Sequence, residues 1–250
     1  MKENIPNYPE GQNVKSIEHE TKYYPRFKEV YESNEWKSLN SIDRAQLLLV
    51  AEGIKPGTYI GGDFTHFQKI VEKLGLDFSF NSDPRRLKPV YTVATREAHN
   101  ELQRKYLTLP ERIPRGTYWK IDGEFLGYPE CDIEEYSNPQ KNIEKRDIKD
   151  VPGGRKKRIS NFEYECGRLT NYEDYPEEMH YRPPAYTPCG VRCEKARAML
   201  KKYKEVLEAS DPEAAKGLRK FNLRSELKNL SHSMTEEQRA QMIEELKIER

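Results

Sequence analysis

The sequence predicts a helix-rich α+β protein: a single domain with a small antiparallel sheet, a long irregular excursion and helical C-terminal segments. Apolar residues recur at helical spacing in several stretches, and the most apolar of these runs through residues 41–53. Phe78 and Phe80 alternate with polar neighbours, and a β-branched run at 89–94 follows a turn-forming stretch, which is the pattern of a hairpin. Between 137 and 187, prolines, tyrosines and charges replace apolar periodicity, so we expect an irregular excursion there.

The helical ranges follow from residues that start and stop helices. Ser41 is placed to cap the most apolar helix and Gly53 to end it. Ser233 and Glu236 have the spacing of a capping box at the start of the last helix. The predicted helices, in chain order, are 25–34, 41–53, 64–75, 96–106, 131–136, 189–207, 211–230 and 233–248. The aromatic stretch at 118–121 carries no helix prediction.

Three regions are predicted along the chain. Residues 1–24 form a polar N-terminal arm, and residues 25–203 form the α+β core domain, including the irregular excursion at 137–187. Residues 204–250 form a helical C-terminal extension, which packs on the core or serves self-association. A homo-oligomer through these C-terminal helices, and a role as an association scaffold, therefore remain open.

Composition limits the class of protein. Hydrophobic residues make up 35% of the 250 residues and charged residues 34%, so apolar side chains are scarce for one compact globule of this length. We therefore expect a core of moderate size with solvated segments outside it. The formal net charge of +1 excludes a protein that binds nucleic acid with its whole surface, but it permits a local basic patch.

The predicted compartment is the cytoplasm. The first 20 residues are polar and mixed in charge, without the apolar stretch of a signal peptide. The longest apolar run, 47–51, is far shorter than the roughly 20 residues that cross a bilayer. No membrane association is expected. In that setting the four cysteines are more typical of thiols or metal ligands than of a disulfide framework.

The first cysteine motif runs from Phe125 to Cys131. Gly127 permits a backbone conformation that a side chain would forbid, and Pro129 suits the first turn of a helix. Cys131 then lies near a helix N-terminus, where the helix dipole is expected to lower the pKa of its thiol. The alternative is a buried structural cysteine, because free cysteine is among the most buried residue types.

The second motif runs from Thr187 to Cys193. With Thr187 as N-cap and Pro188 in the first turn, Cys189 and Cys193 are predicted to lie one helical turn apart on the same face. Two thiols at that spacing can chelate a soft ion. The alternative is that Cys193 packs in the core and Cys189 has no role.

A metal site built from Cys131, Cys189 and Cys193 needs a further ligand, and Cys166 or His180 are the candidates. Such sites suit zinc, whereas the cysteine spacings of iron–sulfur proteins are missing from the sequence. If the site is instead catalytic, Cys131 is the candidate nucleophile, with His180 or Glu130 as its acid–base partner.

A second functional hypothesis is based on the basic run Arg155, Lys156, Lys157 and Arg158, which follows a glycine pair and precedes several aromatic residues. Basic side chains with aromatic neighbours can follow an RNA backbone and stack on bases, and a protein partner is also possible. The alternative is a solvated loop, which is the commoner context of such a run.

The two cysteine motifs carry a resemblance to a known family. Residues 125–131, followed by Pro188-Cys189 and Cys193, resemble an uncharacterised, mainly archaeal family of unknown function. Its members have a Gly-Tyr-Pro turn leading into one or two cysteines, then a Pro-Cys-Ser element with a further cysteine. This chain has Asp132 where a second cysteine is expected and Gly190 where serine is expected. The resemblance covers about residues 41–203 and implies an archaeal, cytoplasmic setting, but it brings no known reaction.

Overall fold

The computed structural model describes residues 25–61, 67–81, 90–110, 114–137, 149–151, 155–157, 160–184 and 186–247. Its helices are α1 (Lys28–Glu32), α2 (Asn34–Lys37), α3 (Ser41–Ala51), α4 (Gln68–Lys73), α5 (Arg96–Leu107), α6 (Arg115–Phe125), α7 (Glu130–Ser137), α8 (Asn161–Cys166), α9 (Glu194–Ser210), α10 (Pro212–Leu230) and α11 (Glu236–Lys247). Its strands are β1 (Gly57–Gly61), β2 (Asp77–Asn81), β3 (Val90–Ala94), β4 (Lys149–Val151) and β5 (Arg155–Lys157). The helix-rich α+β class is thereby confirmed.

The main sheet is antiparallel, with the order β1-β3-β2. β2 and β3 form the pair predicted from the alternation at Phe78 and Phe80, with Phe80 opposite Tyr91. β1 was not predicted; it pairs with the other edge of β3, with Ile60 opposite Tyr91. Glycine, which is depleted in strands, forms both ends of β1, so pairing with β3 is what makes this short segment extended.

Helix α3 lies at the centre of the core. Every residue from Ala45 to Ala51 is buried, and the helix packs against α9, α10 and β1. Asn40 caps the helix by accepting a hydrogen bond from the backbone N–H of Asp43, so the cap lies one residue earlier than predicted. A helix buried on all sides has no polar face, which explains why the sequence there is a nearly continuous apolar run.

Asp211 joins three helices. Its carboxylate accepts a hydrogen bond from the indole N–H of Trp36 at 2.6 Å and from Arg44 at 3.1 Å. It also caps α10 by accepting from the backbone N–H of Ala214 at 2.9 Å. The sequence predicted the helix start at this Asp-Pro pair, but not the side chains from α2 and α3 that the carboxylate holds.

Helices α6 and α7 form a close pair beside the sheet. No helix was predicted at 118–121, and glycines such as Gly116 and Gly123 disfavour a helix locally. In the structure both glycines face α7: a Cβ on Gly123 would lie 2.7 Å from Ile133 Cγ1, and one on Gly116 would lie 2.1 Å from the carbonyl oxygen of Ser137. The glycines therefore allow the two helix backbones to approach closely.

The C-terminal helices pack on the core. α9 passes without a break through residues 203 and 204, and α10 lies against α3. The division into a core and an extension therefore falls within a helix, and it stays a prediction that only a truncated chain can test. The capping box of α11 is formed by Thr235 and Gln238, not by Ser233 and Glu236, because the Ser233 hydroxyl donates to the carbonyl of Leu230.

The described part of the excursion holds more regular structure than predicted. β4 and β5 form a two-stranded antiparallel ladder, and α8 begins at a capping box between Ser160 and Glu163. Further on, 3-10 turns at Tyr172–Asp174 and Glu177–Tyr181 are held onto α10 by buried polar side chains. Short-range caps and long-range hydrogen bonds thus replace the missing apolar periodicity.

Some predictions lie outside the described residues. They are the N-terminal arm at 1–24, the first turn of the helix predicted from residue 64, and Arg158 of the basic run. The backbone of residues 155–157 forms β5, but their side chains are not described. No helix in the described part of the chain has the length and apolar character needed to span a membrane.

Candidate metal centre

The turn before α7 positions the first cysteine. α6 ends at Phe125, and Gly127 adopts a positive φ of 71°, so the backbone N–H groups of Gly127 and Tyr128 bond back to Glu124 and Gly123 at 3.1 and 3.0 Å. This is the Schellman arrangement of a helix C-terminus. Pro129 then leads directly into α7, of which Cys131 is the second residue. The predicted placement of Cys131 near a helix N-terminus is confirmed.

The second cysteine segment differs from the prediction. α9 begins at Glu194, so Cys189 and Cys193 do not lie on one helix, and Cys193 is the N-cap residue. Between them the chain makes a turn in which the N–H of Cys193 donates to the carbonyl of Gly190 at 3.3 Å. Pro188 precedes this turn and starts no helix. The turn still brings the two thiols to the same side.

The structure joins these segments into one cluster, here called the cysteine cluster: Cys131, Asp132, Cys189 and Cys193. Each residue offers one ligand atom, and these four atoms lie within 4.8 Å of one another. The sulfurs of Cys131 and Cys193 are 3.5 Å apart, although 62 residues separate them in sequence. In a tetrahedral zinc site with ordinary bond lengths, neighbouring sulfurs lie about 3.8 Å apart. The cluster can therefore hold a metal ion.

Asp132 is the member that the candidate ligand set lacked. Its side chain is 1% exposed. One carboxylate oxygen accepts the backbone N–H of Cys189 at 2.7 Å, and the other accepts the hydroxyl of Tyr186. Adjacency to Cys131, and its place where the resembling family has a second cysteine, were the signals that could have identified it as a ligand. Its burial and its link to Cys189 are decided only by the tertiary structure.

Glu165 from α8 fixes the turn between the two later cysteines. Its carboxylate accepts the backbone N–H of Val191 at 2.7 Å. A Cβ at Gly190 would lie 2.7 Å from the same carboxylate, so a larger residue there would require the Glu165 side chain to move. The turn borders an open pocket of about 390 Å³, which Arg192 and Lys195 also line.

Two thiols of the cysteine cluster, those of Cys131 and Cys189, have raised pKa values. Burial, a hydrogen bond with Cys193 and the nearby charge of Asp132 raise the pKa of Cys131 to about 11. Burial and the hydrogen bond to Asp132 raise the pKa of Cys189 well above its ordinary value. The predicted lowering at the helix N-terminus is wrong, because burial and the adjacent carboxylate outweigh the helix dipole. A bound cation would lower the pKa values of the thiols, since its positive charge favours thiolates.

Cys166 and His180 lie elsewhere. His180 is buried, with its Nδ1 2.5 Å from Glu226 and its Nε2 3.4 Å from the Tyr172 hydroxyl. Glu226 also accepts from Arg182 at 3.0 Å. Cys166 is buried in the core, and burial raises the pKa of its thiol to about 12. The structure thus brings neither residue to the cysteine cluster, and His180 is committed to Glu226 and not to Cys131.

The remaining candidates add nothing to the cysteine cluster. Glu130 precedes Cys131 but is exposed to solvent. For Arg155, Lys156 and Lys157 the structure gives only the backbone of β5, and Arg158 falls outside the described residues. The RNA- or protein-binding reading of this run therefore stays a prediction.

Neither a family model, nor a characterised protein, nor a solved structure matches this chain. The resemblance to an archaeal family accordingly stays a prediction. What the site does has to follow from its own chemistry, and that chemistry consists of three thiols and one buried carboxylate within reach of a single ion.

Proposed function

We propose that the protein binds one zinc ion through the sulfurs of Cys131, Cys189 and Cys193 and a carboxylate oxygen of Asp132. The observation that carries the proposal is the convergence of four ligand atoms within 4.8 Å from two distant segments. Thiolates select soft or borderline ions and disfavour magnesium and calcium, which take oxygen ligands. Four ligands of this kind match the tetrahedral preference of zinc.

The role we propose for the ion is structural. Zinc sites with four protein ligands leave no position for substrate and contribute directly to folding. Here the ion would join the start of α7 to the turn before α9, closing a loop of 62 residues between Cys131 and Cys193. Closing a loop of that length restricts the unfolded chain, and the restriction stabilises the folded state.

The surroundings of Asp132 support this role. Hydrogen bonds from the Cys189 backbone and from Tyr186 fix the orientation of its carboxylate, as outer partners fix ligands in metal sites. A carboxylate has lone pairs left to bind an ion after accepting two hydrogen bonds. A buried carboxylate beside three thiols would be costly without a cation, and zinc would supply that charge.

Metal analysis with matched cysteine variants tests the proposal. The purified protein is expected to contain one zinc per chain, and Cys189→Ser or Cys193→Ser is expected to lose most of it. Cys166→Ser is the matched control, because Cys166 is equally a free cysteine but lies outside the cluster. Loss of zinc from all three variants alike, or no metal in the parent protein after growth with added zinc, contradicts the proposal.

Cobalt substitution tests the fourth ligand. Co²⁺ in place of zinc is expected to give the strong visible absorption of a tetrahedral site together with thiolate charge-transfer bands. Asp132→Ala should weaken metal affinity by about 10- to 100-fold or more and alter the visible bands, whereas Asp132→Cys should restore tetrahedral binding. Unchanged visible bands in Asp132→Ala would show that the carboxylate is no ligand.

A further inference from the structure

A second cavity is lined by Asp132 but by none of the three cysteines of the cysteine cluster. It has a volume of about 990 Å³ and lies between α3, the α6–α7 pair, the edge of β1 and α10. That volume is at the upper end of the range for small-molecule sites. Aromatic side chains supply much of its wall: Tyr118, Trp119, Tyr128, Tyr136, Tyr186 and Phe221. We call it the aromatic cavity.

The charged residues described as lining the aromatic cavity are all acidic. Asp43, Asp122 and Asp132 line it, and none of the described lining residues is a lysine, arginine or histidine. Asp122 accepts hydrogen bonds from the hydroxyls of Tyr59 and Tyr106, each at 2.6 Å, so two tyrosines fix the position of its carboxylate. An anionic ligand would meet only repulsion from these groups.

Of the acidic residues that line the aromatic cavity, Asp43 gives the strongest indication of a cationic ligand. Its side chain is 8% exposed, and its hydrogen-bond donor among the described residues is the amide of Asn40, which reaches only one of the two carboxylate oxygens. Burial raises the pKa of this carboxyl group, and the Asn40 bond offsets that rise only in part. A nearly buried carboxylate without a paired cation is costly to the free protein, and a cation in the cavity would relieve that cost.

We propose that the aromatic cavity binds an organic cation, that is, an amine or quaternary ammonium group on an apolar body. Aromatic faces attract such a cation through their negative π surface, and they also cover its apolar part. Asp43 supplies the opposing charge from α3, and Asp122 supplies it from α6. The proposal does not depend on zinc, because neither of these two carboxylates belongs to the cysteine cluster.

A series of probes with one shape and three charges tests the proposal. Benzylammonium, benzyl alcohol and benzoate share a ring and differ in being a cation, a neutral molecule and an anion. Trp119 reports binding, because it lines the cavity and is 46% exposed, whereas Trp36 is fully buried. We expect saturable quenching of Trp119 fluorescence by benzylammonium, with an affinity at least about 10-fold above that for benzyl alcohol, and none by benzoate.

Substitutions test whether Asp43 causes the preference for the cationic probe over the neutral one. Asp43→Asn keeps the shape of the side chain and should reduce the affinity for benzylammonium by about 10-fold, with little change for benzyl alcohol. Glu205→Gln removes one negative charge at an exposed position of α9 and should change neither affinity. Trp119→Leu, at a half-exposed site, should weaken benzylammonium binding in a calorimetric titration. This variant tests the proposal even if Asp43→Asn fails to fold. Equal affinity for the cation and the alcohol, or no saturable binding of benzylammonium, overturns the proposal.

Discussion

Replacing Gly127 with alanine tests how the turn before α7 is built. Gly127 has a φ of +71°, in the left-handed region, where a residue with a Cβ costs about 1–2 kcal/mol. The new Cβ would also lie 2.7 Å from Cδ of Pro56, a ring atom that cannot rotate away. Overpacking of this kind costs about 1–3 kcal/mol. Together the two effects should lower the free energy of unfolding by about 2–5 kcal/mol.

Gly53 and Gly75 provide matched controls. Their φ values are +71° and +67°, but among the described residues no atom lies within 4 Å of a Cβ built on either glycine. Alanine at these positions should therefore cost only about 1–2 kcal/mol. Urea unfolding of the three variants, followed by circular dichroism, measures the difference, which isolates the contact with Pro56.

The Gly127 variant should also affect the cysteine cluster. Relief of the contact with Pro56 requires the turn to move, and Cys131 lies only four residues further along the chain. Metal affinity should fall about 10-fold or more in Gly127→Ala and stay unchanged in Gly53→Ala. If Gly127→Ala is no less stable than Gly53→Ala, Pro56 does not restrain the turn and the reasoning is refuted.

Three further predictions concern the buried charges and the proposed ion. Glu226→Leu leaves Arg182 buried without its carboxylate and should cost about 3–5 kcal/mol in urea unfolding; a loss below 1 kcal/mol would contradict a stabilising ion pair. Burial alone would raise the pKa of Glu226, but His180 and Arg182 lower this pKa below the ordinary value of 4.5. The ionised carboxylate therefore contributes its full stabilisation above pH 4.5, and this stabilisation is lost as the pH falls through the lowered pKa. Acid titrations of the parent and of Glu226→Gln should therefore differ in slope below pH 4.5, and parallel curves would count against this. Removal of zinc by a chelator should lower the melting temperature, since a ligand at 1,000 times its Kd contributes about 4 kcal/mol, and an unchanged melting temperature would argue against a structural ion.

Local rules predicted much of the secondary structure. The β2–β3 hairpin, the start of α10 at Asp211 and the range of α5 agree with the structure, because each depends on neighbouring residues. α6 and β1 were missed for the opposite reason. Gly123 discourages a helix locally but allows Ile133 to approach, and β1 is extended because β3 pairs with it.

The sequence by itself determined the cysteine motifs, the position of Cys131 near a helix N-terminus, and the glycine and proline residues that shape the turn before it. These features depend on backbone preferences that act over a few residues. Only the tertiary structure decided that Asp132 joins the cysteines while Cys166 and His180 do not. It also brought Asp43 and aromatic side chains from α6 and α7 to the lining of one cavity. Such groupings arise because folding buries apolar surface, and the packing of that surface sets which distant polar groups meet.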